Sequence, residues 1–123
     1  MQQSSMEKTL AGKDRRHTVR TWMNRPGRIR VDGGRQGYMQ VVDISTRGAA
    51  MFCAQSLDPG TEVEMQFHLN LHAESVELVM RGRVDRSHER GDSHLVRVVF
   101  LEPTLRALET ITEFINLKTH KTA

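Results

Sequence analysis

A chain of 123 residues has room for one domain around a single core, so no second, output-bearing domain is expected within it. Hydrophobic residues at 37% and charged residues at 27% exclude a wholly disordered polymer, and one cysteine excludes an internal disulfide. The net charge of +3 is carried by fourteen Arg against four Lys and favours an anionic partner, because the planar guanidinium fork suits phosphate and the Hoogsteen edge of guanine.

A G+C-rich genome that writes Arg for Lys is the alternative source of that ratio, so position has to decide. Residues 1–13 are polar and aperiodic and read as a flexible tail. They lack the apolar run of a secretory signal, and the longest apolar run in the chain, "AAMFCA", is far too short to span a membrane; the expectation is a cytoplasmic protein with no membrane insertion. Next comes "DRRHTVR", Asp14 to Arg20, with three arginines in seven residues. Taken alone it reads as a basic linker.

From Thr21 onward short patterned segments alternate with Gly, Asp and Pro, as in an all-β sandwich or barrel. Strands are predicted at 28–32, 38–45, 48–54, 62–70, 76–88 and 94–101, and in the fourth Val63, Met65, Phe67 and Leu69 share one face. "DGG" at 32–34, "DPG" at 58–60 and "RGD" at 90–92 supply the turns; the last is a glycine turn and not an adhesion motif. Cys53, within "GAAMFCAQ", reads as a small buried side chain and not as a reactive thiol.

After Pro103 the period changes to that of a helix over 104–117, with Pro103 in its first turn and Leu105, Leu108, Ile111 and Phe114 or Ile115 on the buried stripe. This helix would cover one open end of a small barrel. His68 and His72 lie across a bend without a completing Cys or carboxylate, so no metal site is expected. No Ser or Cys stands beside a base in the pattern of a nucleophile, and no enzymatic activity is expected. No aromatic platform for stacking successive bases is evident.

The informative motif is "DISTRG", Asp43 to Gly48, which has the form Asp-x-Ser-x-x-Gly in a tight turn between two predicted strands. A self-capped Asx or Ser/Thr turn is its plain structural reading. Preceded by Arg16-x-x-x-Arg20 about 25 residues upstream, it resembles the PilZ domain family of bacterial cyclic di-GMP receptors. The resemblance runs from Arg15 to about Leu117 through "VVDISTRGAAM", "LDPGTEVEMQFHL", "LVMRGRVDR" and "VRVVF".

The family implies a six-stranded antiparallel β-barrel closed by a C-terminal α-helix. The chain then divides into the tail 1–13 and a PilZ domain 14–118, made of a switch segment 14–21, a barrel of about 22–101 and a helix of about 103–118, followed by a short tail 119–123. The resemblance also implies a ligand in place of a cofactor. Arg16 and Arg20 would be donor forks for the phosphates and Hoogsteen edges of cyclic di-GMP. Asp43 would accept from a guanine Watson–Crick edge, with Ser45 adding a hydroxyl. Gly48 would close the turn at a positive φ and keep a Cβ clear of the ligand. Arg15 implies an intercalated ligand dimer, since a third cation can stack on guanine and neutralise the additional phosphates.

Two departures bear on the outer wall of that site. Arg86 stands near where the family often carries Trp, and "LVRVVF" lacks the Gly that usually precedes V-x-F. Arg86 is a candidate to stack its guanidinium on a guanine, against the reading of a solvated strand-face charge. The implied function is an adaptor that orders its arginine segment on binding and signals to a protein effector. The alternatives are a small basic barrel binding nucleic acid non-specifically, which a steep salt dependence would reveal, and a degenerate family member kept as an interaction module, against which the intact arginines and turn argue.

Overall fold

The structure, a computed structural model, describes residues 19–121. Six strands, β1 (Thr21–Val31), β2 (Arg35–Ile44), β3 (Gly48–Cys53), β4 (Glu62–Leu71), β5 (Glu74–Arg90) and β6 (Ser93–Phe100), precede the helix α1 (Leu105–Lys121). They close into one barrel in the order β1-β2-β3-β6-β5-β4, every neighbouring pair antiparallel, with β1 and β4 completing the ring. The closing β1–β4 pairing runs from Gly27 opposite Phe67 to Val31 opposite Val63. All six predicted strands are present; β1 is longer than expected because its first half, Thr21 to Gly27, is only half-buried and carries no clean alternation of apolar residues.

Alternation decides what fills the barrel. In β4, Val63, Met65, Phe67, Leu69 and Leu71 point inward and are buried, each contributing roughly 1.5–3 kcal/mol relative to exposure. The core is built mainly of Val, Leu, Ile and Met, as the scarcity of aromatics required. Asp32 (φ 49°) and Gly33 (φ 74°) form the β1–β2 turn with both central residues left-handed, the geometry that matches strand twist. Cys53 is buried in the core cluster, and burial pushes its thiol up to about 11.

Helix α1 starts with a side-chain cap: the Ala107 N–H donates to Thr104 Oγ1 at 3.1 Å. Pro103 therefore precedes the cap and does not sit in the first turn. The buried stripe is Ala107, Ile111, Phe114 and Ile115, with Leu108 half-buried. Leu105, expected on that stripe, is 71% exposed: it stands some 240° around the helix from Ile111 and faces away from the barrel. The helix packs against β4, and His72 meets Glu113 at 3.3 Å.

Candidate functional site

Three irregularities of register fall at one level of the barrel. In β2, Val41 and Ile44 are both core residues, and Val42 and Asp43 together oppose the single residue Ala50 of β3. In β5, Asp85 and Arg86 together oppose Arg97 of β6. The third shift separates Trp22 from Arg25 in β1, against β2. Each is a bulge, the device by which a strand re-aims a side chain next to a site. Strict alternation from Met39 and Val41 would turn Asp43 into the core; the extra residue turns it to the outer face and returns Ile44 to the interior.

The result is one rung across five strands. Trp22 pairs with Asp43, Asp43 with Ala50, Ala50 with Arg97, and Arg97 with Arg86. Paired residues share a face, and since Ala49, Met51 and Cys53 face the core, Ala50 and its partners face out. Asp43 is nonetheless buried, 3% exposed, with Arg97 Nη2 at 3.8 Å from its Oδ2. A carboxylate this far from water needs donors or a cation close by. Ala50, 1% exposed, is the small floor beneath the pair. Arg86 is exposed and stands 3.5 Å from the neighbouring Asp85 carboxylate.

The turn after Asp43 is held by Ser45. Its Oγ accepts from the N–H groups of Arg47 at 3.1 Å and Gly48 at 3.3 Å, and its own N–H donates to the Gly48 carbonyl at 2.9 Å. Ser45 thus makes the Ser/Thr turn that is the plain reading of the motif, with its hydroxyl proton lying towards the Gly48 carbonyl at 3.4 Å. Gly48 departs from expectation. It is not among the positive-φ residues; a Cβ there would fall onto the Val98 carbonyl oxygen of β6. Close approach of β3 to β6, and not a left-handed turn, is what calls for glycine.

The arginine segment is only partly on view. Arg15 and Arg16 lie outside the described residues. Arg20 is exposed and immediately precedes Thr21, which pairs with Ile44, so it begins at the level of Ser45. Arg20, Asp43, Ser45 and Gly48 therefore gather towards one end of the rung, while Arg86 stands at its other end, beyond Arg97. Two residues of the same surface went unremarked in the sequence. Arg97 is a charge amid the apolar run "LVRVVF", and that alternation marks it as outward-facing. Trp22 is 75% exposed beside Asp43 and offers an aromatic face where none was expected. Neither could be placed without the register.

Other features do not compete with this surface. A groove lined by Arg28, Ile29, Arg30, Gln36, Glu64 and Gln66 lies on the β1–β4 wall, where the Arg30 guanidinium already meets Glu64 at 2.6 Å. Among the described residues no three His, Cys, Asp or Glu gather to hold a metal ion, and no helix is long and apolar enough to cross a membrane.

Comparison with known proteins gives a family and a fold. The model of the PilZ domain matches residues 14–117. Among solved structures, the chain is similar to the Bacillus subtilis inhibitor of motility MotI/DgrA, at 14% identity and a TM-score of 0.76, covering 85% of this chain and 51% of that one. It is also similar to the PilZ domain with c-di-GMP of YcgR from Escherichia coli, at 11% identity and a TM-score of 0.70, covering 88% of this chain and 94% of that one. A third is the PilZ domain of CeSA from a cellulose-synthesizing bacterium, at 19% identity and a TM-score of 0.53, covering 85% and 99%. This chain thus spans about half the length of the motility inhibitor. No curated protein matches it significantly by sequence.

Proposed function

Since this chain belongs to the PilZ domain family, we propose that it is a receptor for cyclic di-GMP which reads the ligand on the outer face around Asp43 and grips it with its N-terminal arginines. The observation that carries the reading is the re-aimed carboxylate: a bulge spends one residue to turn Asp43 out of the core, beside the Ser45 turn and at the level where the arginine segment enters β1. Structural upkeep alone does not call for a buried acid there. A guanine Watson–Crick edge, with its N1–H and N2–H donors, does. The similar YcgR domain is described with c-di-GMP, which supports the choice of ligand.

In this reading Arg16 and Arg20 donate to phosphates and Hoogsteen edges, Arg15 favours an intercalated ligand dimer, and Arg86 flanks the far side of the rung. Residues 14–21 become ordered against the barrel on binding, and the altered surface is offered to a protein effector in the cytoplasm; the similar protein from Bacillus subtilis being an inhibitor of motility fits such signalling. The protein works as an adaptor and not as an enzyme.

Calorimetric titration with cyclic di-GMP tests this. Arg16→Ala, Arg20→Ala and Asp43→Ala are each expected to lower affinity at least about tenfold. Arg15→Leu is expected to reduce the stoichiometry from two ligands per chain to one. Wild-type affinity in both arginine variants overturns the reading, as does binding of oligonucleotides with a steep salt slope alongside indifference to cyclic di-GMP.

A further inference from the structure

Arg97 is a strand residue outside both motifs, yet it is the cation brought to Asp43 among the described residues. From this geometry we infer that Arg97 is a specificity-determining residue, which together with Asp43 selects guanine over adenine. The inference rests on the receptor reading and deepens it.

The chemistry lies in the order of groups along the base. Guanine presents, side by side, the N2 and N1 donors and then the O6 and N7 acceptors; adenine presents an acceptor at N1 and a donor at N6. A carboxylate accepts only, and a guanidinium donates only. Placed next to each other they match the guanine sequence of donors then acceptors, and they oppose adenine, whose N6 donors would meet the donor fork. Asp43 and Arg97 are such a neighbouring pair, with 3.8 Å between Oδ2 and Nη2.

That distance matters in its own right. It lies beyond the hydrogen-bonding range of about 2.7–3.2 Å, so the pair is aligned without being closed, and a base can enter without breaking a formed hydrogen bond. Arg97 also has reach. Its side chain is 28% exposed while that of Asp43 is 4% exposed, which puts the fork nearer the surface and the carboxylate deeper. On its other side Arg97 pairs directly with Arg86, and like charges across a rung repel, biasing the Arg97 fork towards Asp43. Ala50, between the two strands, is too small to keep them apart.

The test is titration of wild type, Arg97→Ala and Arg97→Lys with cyclic di-GMP, and with cyclic di-AMP by displacement, each variant first checked for an unchanged melting curve. Arg97→Ala should lose about tenfold or more in affinity for cyclic di-GMP with no loss for cyclic di-AMP, so that the preference between them falls by the same factor. Arg97→Lys, a point charge without the fork, keeps the fold and should retain only part of the preference. Three outcomes overturn the inference while leaving the receptor reading intact: unchanged affinity in Arg97→Ala, equal losses for both dinucleotides, or a gain, which would make Arg97 a competitor for Asp43. A wild-type protein that ignores cyclic di-GMP overturns both.

Discussion

The Arg97 guanidinium and the Asp43 carboxylate face each other at 3.8 Å across a strand to which neither belongs. Asp43 is in β2, Arg97 in β6, and between them β3 contributes only the methyl of Ala50. Alanine there is a condition for the pair, because any larger outward side chain would stand in the path of both. Ala50→Leu is therefore expected to separate the two charges and fill the floor of the proposed site. Affinity for cyclic di-GMP should fall more than about tenfold, while crowding on this outer face costs about 1–3 kcal/mol of stability. Calorimetry alongside thermal unfolding checks both parts, and an Ala50→Leu protein that binds like wild type refutes the arrangement.

Gly48 separates two explanations of a motif glycine. If it served a left-handed turn, Asn would substitute well; if it serves strand approach, any Cβ is excluded. Its φ is not positive and a Cβ would strike the Val98 backbone oxygen, an atom that cannot swing aside. Gly48→Ala and Gly48→Asn should therefore be equally damaging, each by about 2 kcal/mol or more in denaturant unfolding. Gly33 provides the contrast: with φ at 74° and open space around it, Asn should be accepted there far better than Ala.

The same contrast shows how far the residues could be read in advance. Val63, Met65, Phe67 and Leu69 announce β4 by strict alternation, and "DGG" and "RGD" mark turns by chemistry that favours positive φ, so the strand count and an all-β class were legible, while the choice of barrel over sandwich came from the family resemblance. Asp43, Ser45 and Gly48 were legible as a motif because their spacing is local. What the alternation rule could not carry was the side to which Asp43 points, since a bulge adds a residue that no local propensity marks. Arg97 and Trp22 were missed for a related reason. They join the site through pairing across the barrel, a relation between positions up to 75 residues apart that appears only once β3, β6 and β1 are in register. Leu105 was misplaced because one leucine can extend a helical stripe on paper, while six residues of helical rotation carry it off the face that Ile111 buries.

Cys53 should be silent until the barrel opens. Burial lifts its thiol from an ordinary value of 9.0 to about 11, so at neutral or mildly alkaline pH the nucleophilic thiolate is suppressed. A disulfide reagent at pH 8 is expected to label it only in denaturant. The linkage has a definite sign. The folded-state value is raised, so the unfolded chain releases this proton first; the thiol's contribution to stability is complete below pH 9 and is lost as pH rises from 9 towards 11. Cys53→Ala, whose core has no such group to titrate, should show a shallower loss over that window. Rapid labelling of the native protein, or identical alkaline profiles for the two proteins, contradicts the assignment.

Trp22 makes the proposed site report on itself. It is the only tryptophan in the chain, 75% exposed, and the β1 partner of Asp43 on the rung. A base held by the Asp43 carboxylate lies within a strand spacing, about 4.8 Å, of the position from which the indole projects. Water-like emission in the free protein should therefore be quenched and shifted to shorter wavelength as cyclic di-GMP saturates, in step with the calorimetric isotherm. If the indole stacks on the base, Trp22→Ala should weaken binding by about tenfold and Trp22→Phe by less, since stacking a base on an aromatic ring contributes about 1–3 kcal/mol. Emission unchanged at a ligand concentration that calorimetry shows to be saturating would move the ligand away from Asp43 altogether.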